Sequence, residues 1–309
     1  MNPNARPRTL GGVRWGRLMS AMAVAGVLAL SVHVVMLQVL HVPYPSAVLR
    51  TKFPDLLNGA LMIWAAMWVY DGLRARWPGR SALLCVAILF ALLAGLNETL
   101  RAAFMSGYCS THAPVRWLIG FLASVRPLSM YAVAAGLAAG LARLRSTRAR
   151  VCGTAVAALF SAYVIAPALA AADAVIRTHA AQWMPEGGWC ALPYGIDVLI
   201  PAYLTFLEPV LLSFACAALI WNRLPGGLPR RTAAFVLLIL ALKRHVLASL
   251  LYAVFAPGPA MTAFASVGQF SLEAAVLGCL TALGWHWARP VAVDEPVAVA
   301  ADRGASAGR

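Results

Sequence analysis

Charge is what this sequence lacks. Only 12% of its 309 residues are Asp, Glu, Lys or Arg, where a soluble domain carries about a quarter. That is too little to cover a water-facing surface of this size. Acids are scarcer than bases, 11 against 25, and Lys52 and Lys243 are the only lysines. The arginine skew fits a GC-rich bacterial genome. The net charge of +14 does not point to nucleic acid, because the bases are scattered among short connectors and form no single stripe. Six cysteines include no C-x-x-C, which argues against thiol–disulfide exchange chemistry.

Several catalytic signatures are missing too. There is no Gly-x-Ser-x-Gly. A paired Glu-Glu followed by Arg, as in CAAX-type intramembrane proteases, is absent, since Asn97-Glu98-Thr99-Leu100-Arg101 has one acid. Cys109, Arg126 and His245 occur in the order used by exosortase-type enzymes, without the surrounding motif. His33 and His41 lie eight apart, off a shared helix face, with no matching ligands, so neither a metal nor a cofactor is expected.

What fills the chain is apolar, 61% of it. A bilayer core needs about 20 apolar residues per helix. That window gives eight spans, near Leu18–Val42, Leu56–Tyr70, Ser81–Leu100, Trp117–Leu141, Val151–Val175, Ile196–Trp221, Thr232–Phe255 and Met261–Trp287. The fold class expected is an all-α, polytopic membrane helix bundle. Its domains are an N-terminal tail over 1–17, the bundle over 18–288 and a disordered tail over 289–309. The first span follows Arg14 and Arg17 but is too long for a signal peptide. Alternate connectors hold 17 Lys and Arg against 5 in the opposite set, which puts both termini in the cytoplasm by the positive-inside rule. The setting expected is a bacterial inner membrane.

Four cysteines, Cys85, Cys152, Cys216 and Cys279, fall in or beside spans and read as packing residues. Cys109 and Cys190 fall in the two longest connectors on the opposite, oxidising side, where a disulfide persists. Trp183, Trp189 and Tyr194 in the second of these connectors read as interfacial belt residues.

Function has to come from charges inside the spans, because a charge at bilayer depth is costly unless paired or wetted. The seventh span places Lys243, Arg244 and His245 at its centre. Ala234, Ala241 and Ala248 mark a smooth face beside Arg244 and His245, so these two should point inward and Lys243 toward the leucine-rich side. Asp197, Pro201, Thr205 and Glu208 share a face of the sixth span, and Gln269 and Glu273 share one of the eighth. Glu208, Arg244, His245 and Glu273 are thus expected to meet near the midplane. Nearer the outer surface, Ala87, Ala91 and Ala94 lead to Glu98 and Arg101. Arg126 precedes Pro127 and a Ser129, Gly136, Gly140 surface.

Two readings of these charges remain open. They can neutralise one another and fix helix register. Alternatively, they can line a hydrated cavity in which Arg126 and Arg244 hold a phosphate or carboxylate. In that case Glu208, Glu273 or His245 would carry protons. The second reading makes the chain a carrier or flippase-like protein for a small or lipid-linked anion, its substrate site built from Arg126, Arg244, His245, Glu208, Glu273, Glu98 and Arg101. A membrane-embedded transferase or hydrolase at the outer leaflet, using Glu98, Arg101 and Arg126, is the alternative. A non-catalytic assembly subunit is a third. The partners expected are the lipid bilayer and that anionic substrate, with no nucleic acid.

Overall fold

The structure, a computed structural model, describes residues 12–45, 48–110, 115–180 and 190–289. Arg6, Arg8, His112, Trp183, Trp189 and the expected C-terminal tail from residue 290 lie outside the described residues. Among those described, the secondary structure is helical and no strand occurs.

Helix α1 (Trp15–Val34) runs on into a π turn at Val35–Val39. Then come α2 (Phe53–Arg76), α3 (Ala82–Leu96), α4 (Thr99–Tyr108) and α5 (Arg116–Leu141). Helices α6 (Thr147–Phe160) and α7 (Ala166–Ala180) join through a second π turn, Ser161–Ile165. The chain continues with α8 (Ile196–Thr205), α9 (Leu207–Ile220), α10 (Leu228–Leu242), α11 (Ala248–Phe255) and α12 (Ala260–Ala288). Local chemistry sets several of these starts. Ser81 caps α3 by accepting from the Leu84 N–H at 3.2 Å, Ser146 caps α6 through Ala149 at 3.1 Å, and Pro54 sits in the first turn of α2, where a missing N–H is harmless.

Six of these helical runs are long and apolar enough to cross a membrane, and α3 with α4, bent by 46°, makes a seventh. The chain is therefore a multi-pass membrane protein. Against expectation, α2 is not a short span but 24 residues long. The expected seventh span is two short helices, α10 and α11, separated by a break at Lys243–Leu247.

One end of the bundle is held by arginine. Arg17, Arg223 and Arg289 lie over the rings of Trp287, Trp68 and Trp221 at 5.2, 5.3 and 5.6 Å. Arg150 pairs with Asp71 at 2.7 Å and donates to the carbonyls of Ala142 and Leu144 at the end of α5. The opposite end carries the expected disulfide between Cys109 and Cys190, which ties the segment after α4 to the segment before α8.

The core shows where the sequence reading of faces goes wrong. Helix α3 buries Cys85, Leu89, Leu92, Leu93 and Leu96; of the expected alanine face it buries Ala94 and leaves Ala87 and Ala91 exposed. Helix α5 packs through Ala134, Ala135, Ala138 and Ala139, while Gly136 and Gly140 face open space. Helix α10 buries Phe235, Ile239 and Leu242, with Ala234 and Ala241 of the expected stripe packed only partly against the core. Lipid is as apolar as leucine, so hydrophobicity does not say which side of such a helix turns inward.

The structure also contains an internal repeat that is invisible in the sequence. The bounds of α10 are those of α3 shifted by 146 (82 to 228, 96 to 242). Buried residues Gly120, Ala135, Ala138 and Ala139 of α5 match buried Ser266, Thr281, Gly284 and Trp285 of α12 at the same shift. In α2, buried Met62, Ile63, Ala66 and Leu73 match buried Pro209, Val210, Ser213 and Ile220 of α9, shifted by 147. Packing follows suit: α2 lies on α5 as α9 lies on α12, α2 meets α10 as α9 meets α3, and α4 packs on α5 as α11 packs on α12. The two halves interleave, with α1 packed along α12 and α6–α7 along α2 and α5.

Candidate functional site

The repeat places two helix breaks at corresponding positions. Helix α3 ends at Leu96 and α10 at Leu242, and two residues later Glu98 (φ 58°) and Arg244 (φ 63°) adopt the left-handed conformation. In the second break, the Arg244 and His245 N–H groups donate to the carbonyls of Ala241 and Leu240 at 3.0 and 2.7 Å. This is the Schellman pattern of a helix C-terminus. The first break keeps one of these bonds, Glu98 N–H to Gly95 at 3.1 Å, and replaces the other with the Thr99 hydroxyl, which donates to the Ala94 carbonyl at 2.5 Å. Glycine is the residue that normally takes such a position. A charged side chain there is strained by roughly 1–2 kcal/mol, and strain of this kind clusters at functional sites.

The two breaks touch. Asn97 Nδ2 donates both to its own helix, at Leu93 O (2.8 Å), and across to Leu242 O (3.0 Å). Lys243 Nζ reaches the Glu98 carboxylate at 2.5 Å, and Arg101 pairs with the other Glu98 oxygen. Lys243 is only 5% exposed and the Glu98 side chain 16%, so this ion pair is largely shielded from water. Glu208 on α9 accepts the N–H groups of Leu100 and Arg101 at 3.1 and 2.6 Å. It thereby caps α4, where a helix N-terminus favours negative charge. Glu273 of α12 is buried beside Glu98. Glu98 faces Lys243 and Arg101, and Glu208 faces the α4 terminus, so each of these charges has a partner within the protein.

The next residue turns the other way. Arg244 points to a separate cleft, about 660 Å³ in volume, between α2, α5 and α6–α7. Its guanidinium meets Asp55 of α2 at 3.1 Å, and this pair is substantially exposed. Four cations, Lys52, Arg126, Arg177 and Arg244, line the cleft against two acids, Asp55 and Asp173. Asp173 is already held by Arg177 at 2.8 Å, and Lys52 lies over the Tyr163 ring. Arg126 is exposed and has no polar partner among the described residues. Pro127 cannot hydrogen-bond the Ala123 carbonyl, and both residues line the same cleft. No protein family, curated protein or solved structure matches this chain. The geometry alone has to carry the functional reading.

That geometry divides the expected site residues into two groups. Glu98, Arg101, Glu208 and Glu273 belong to the shielded network, with Lys243, which the sequence pattern had turned toward the leucine side. Arg126 and Arg244 belong to the cleft. The expected meeting of Glu208, Arg244, His245 and Glu273 does not form, because the break swings Arg244 away from the acids. His245 stacks on Phe270 of α12 with ring centroids 6.3 Å apart, and Phe270 also contacts His33 at 4.6 Å. Cys109 is oxidised, so it offers no thiol nucleophile. Asn97 and Asp55 were missed. Asp55 had one signal, a lone acid directly after Pro54 at a helix start.

Proposed function

We propose that this chain is a carrier or flippase-like protein that binds a small or lipid-linked anion through Arg126 and Arg244. In this reading α10 and α11 cross the membrane together, as α3 and α4 do. The bundle over 18–288 then has eight crossings, both termini are cytoplasmic, the segment over 289–309 is a tail, and the membrane is a bacterial inner one. The count of 17 cationic residues against 5 by connector supports the orientation. The observation that carries the function is Arg126, a guanidinium with no polar partner among the described residues, on the wall of a cleft with two more cations than acids. Arginine presents a planar fork of donors suited to phosphate or carboxylate. Carriers place such groups where helices are broken, and Arg244 sits at a break.

The test is thiol accessibility in intact cells, in a background lacking Cys85, Cys152, Cys216 and Cys279. A membrane-impermeant maleimide is expected to label Arg126→Cys and Met130→Cys. Leu272→Cys, the position matching Arg126 in the second repeat but outside the cleft, should stay unlabelled. Equal labelling at all three, or none in folded protein, would reject an outward, water-filled cleft.

A further inference from the structure

We infer that the cleft takes a lipid whose head is a phosphate, drawn sideways from the bilayer, with the phosphate between Arg126 and Arg244. This rests on the anion-binding reading above and narrows its substrate class. The lining changes character along its length. Cations and the two acids gather toward the end that holds the disulfide, while small apolar side chains such as Ala158, Ala162 and Ala166 line the remainder. From Arg177 to Ala158, both on the cleft wall, the helical rise of 1.5 Å per residue gives about 28 Å. That is close to the roughly 30 Å of the hydrocarbon core. Of this length the apolar part, from Ala170 to Ala158, takes about 18 Å, more than a small soluble ion uses. A lipid needs both halves.

The outer wall also places the cleft beside the bilayer. It is one helix thick, formed by α6–α7, which rests on α2 and α5. Its far side exposes Val156, Leu159, Phe160 and Val164, residues suited to lipid. The π turn Ser161–Ile165 interrupts this wall beside the cleft, where Ser161 and Ala162 line it. A volume of about 660 Å³ is that of a drug-sized ligand site. It admits a head group and part of one chain, so the remaining tail lies between α5 and α6–α7.

The probe is phosphatidic acid with a diazirine on its acyl chain, present as a trace component of phosphatidylcholine nanodiscs holding the full chain. Crosslinks should concentrate on α5 and α6–α7 and fall at least five-fold in Arg126→Gln, while a matched phosphatidylcholine probe shows no such concentration. Ala162→Phe fills the apolar half and keeps every cation, and it should weaken labelling as well. Folding of both variants is checked by gel filtration. Labelling spread over all lipid-facing helices and unchanged in both variants would overturn the lipid inference. If inorganic phosphate then still shields Met130→Cys from maleimide, the anion site stands and its ligand is soluble. If phosphate gives no protection either, the anion-binding reading falls too.

Discussion

Lys243→Ala should leave little folded protein. The substitution removes one of the two cations on the part-buried Glu98 carboxylate, the one at 2.5 Å, and leaves Arg101 alone to face both Glu98 and Glu273. Removing one member of a buried pair costs about 3–5 kcal/mol, because the remaining charge is left in a shielded site. Replacing both, as Glu98→Gln with Lys243→Met, should restore most of the yield, since no uncompensated charge remains. Arg244→Ala is the contrast. Its partner Asp55 is 62% exposed, and a pair of that kind is worth about 1 kcal/mol or less. Thermal melts in detergent, with yield by fluorescence gel filtration, separate these cases. A Lys243→Ala protein as stable as the parent, or a double variant no better than the single, would show that the two helix breaks are held some other way. Arg244→Gly sharpens the comparison. Glycine suits φ 63°, so this variant should gain about 1 kcal/mol while losing a cation from the cleft.

Gly120→Ala should be nearly as damaging, for a steric reason. A methyl group at Gly120 would sit 2.2 Å from the carbonyl oxygen of Ala103 on α4. The obstacle is backbone, so α4 and α5 must move apart, at about 3 kcal/mol, the upper end for overpacking. Gly107 faces the same crossing, its added Cβ 2.7 Å from the Arg116 carbonyl. Gly136→Ala is the internal control. Nothing lies within 4 Å of its added methyl, and alanine in a helix interior is favoured over glycine by about 0.5–1 kcal/mol. The two variants should therefore shift the apparent Tm in opposite directions. Equal shifts would mean that α4 and α5 do not cross as closely as described.

Hydropathy made the class of fold legible, because 20-residue apolar runs in a chain this poor in charge have few other uses. Topology made the disulfide legible through the placement of Cys109 and Cys190. The helix breaks were not legible. Asn97-Glu98 and Lys243-Arg244 contain neither glycine nor proline, so the left-handed turns left no local signature, and the cationic triplet read as mid-helix. From a continuous helix it follows that Arg244 and His245 face inward; the break keeps His245 inside, against Phe270, but turns Arg244 out to the cleft, and Lys243 becomes the buried cation. Arg126 stands out in the sequence as a guanidinium beside a proline inside an apolar run. Its isolation from every described acid could be seen only in three dimensions. The repeat escaped because its two copies share burial and breaks while differing in side chains, as when Arg126 corresponds to Leu272.

The packing of α1 along α12 bears on how the chain is made. The N–H of Arg14 is bonded to the carbonyl of Ala288 at 2.9 Å, so α1 waits for α12. Some 225 residues separate Val34 from Ala260, and at 5–20 residues per second that is roughly 10–45 s of synthesis. Helices α8 and α9 reach α1 earlier, at Tyr203 and Val210, but the side of α1 holding Ala21, which meets Gly284 of α12, has only lipid or a chaperone to rest against through that interval. A ribosome that stalls before α12 would release a product with an open seam, conspicuous to membrane quality control however well its earlier helices have inserted.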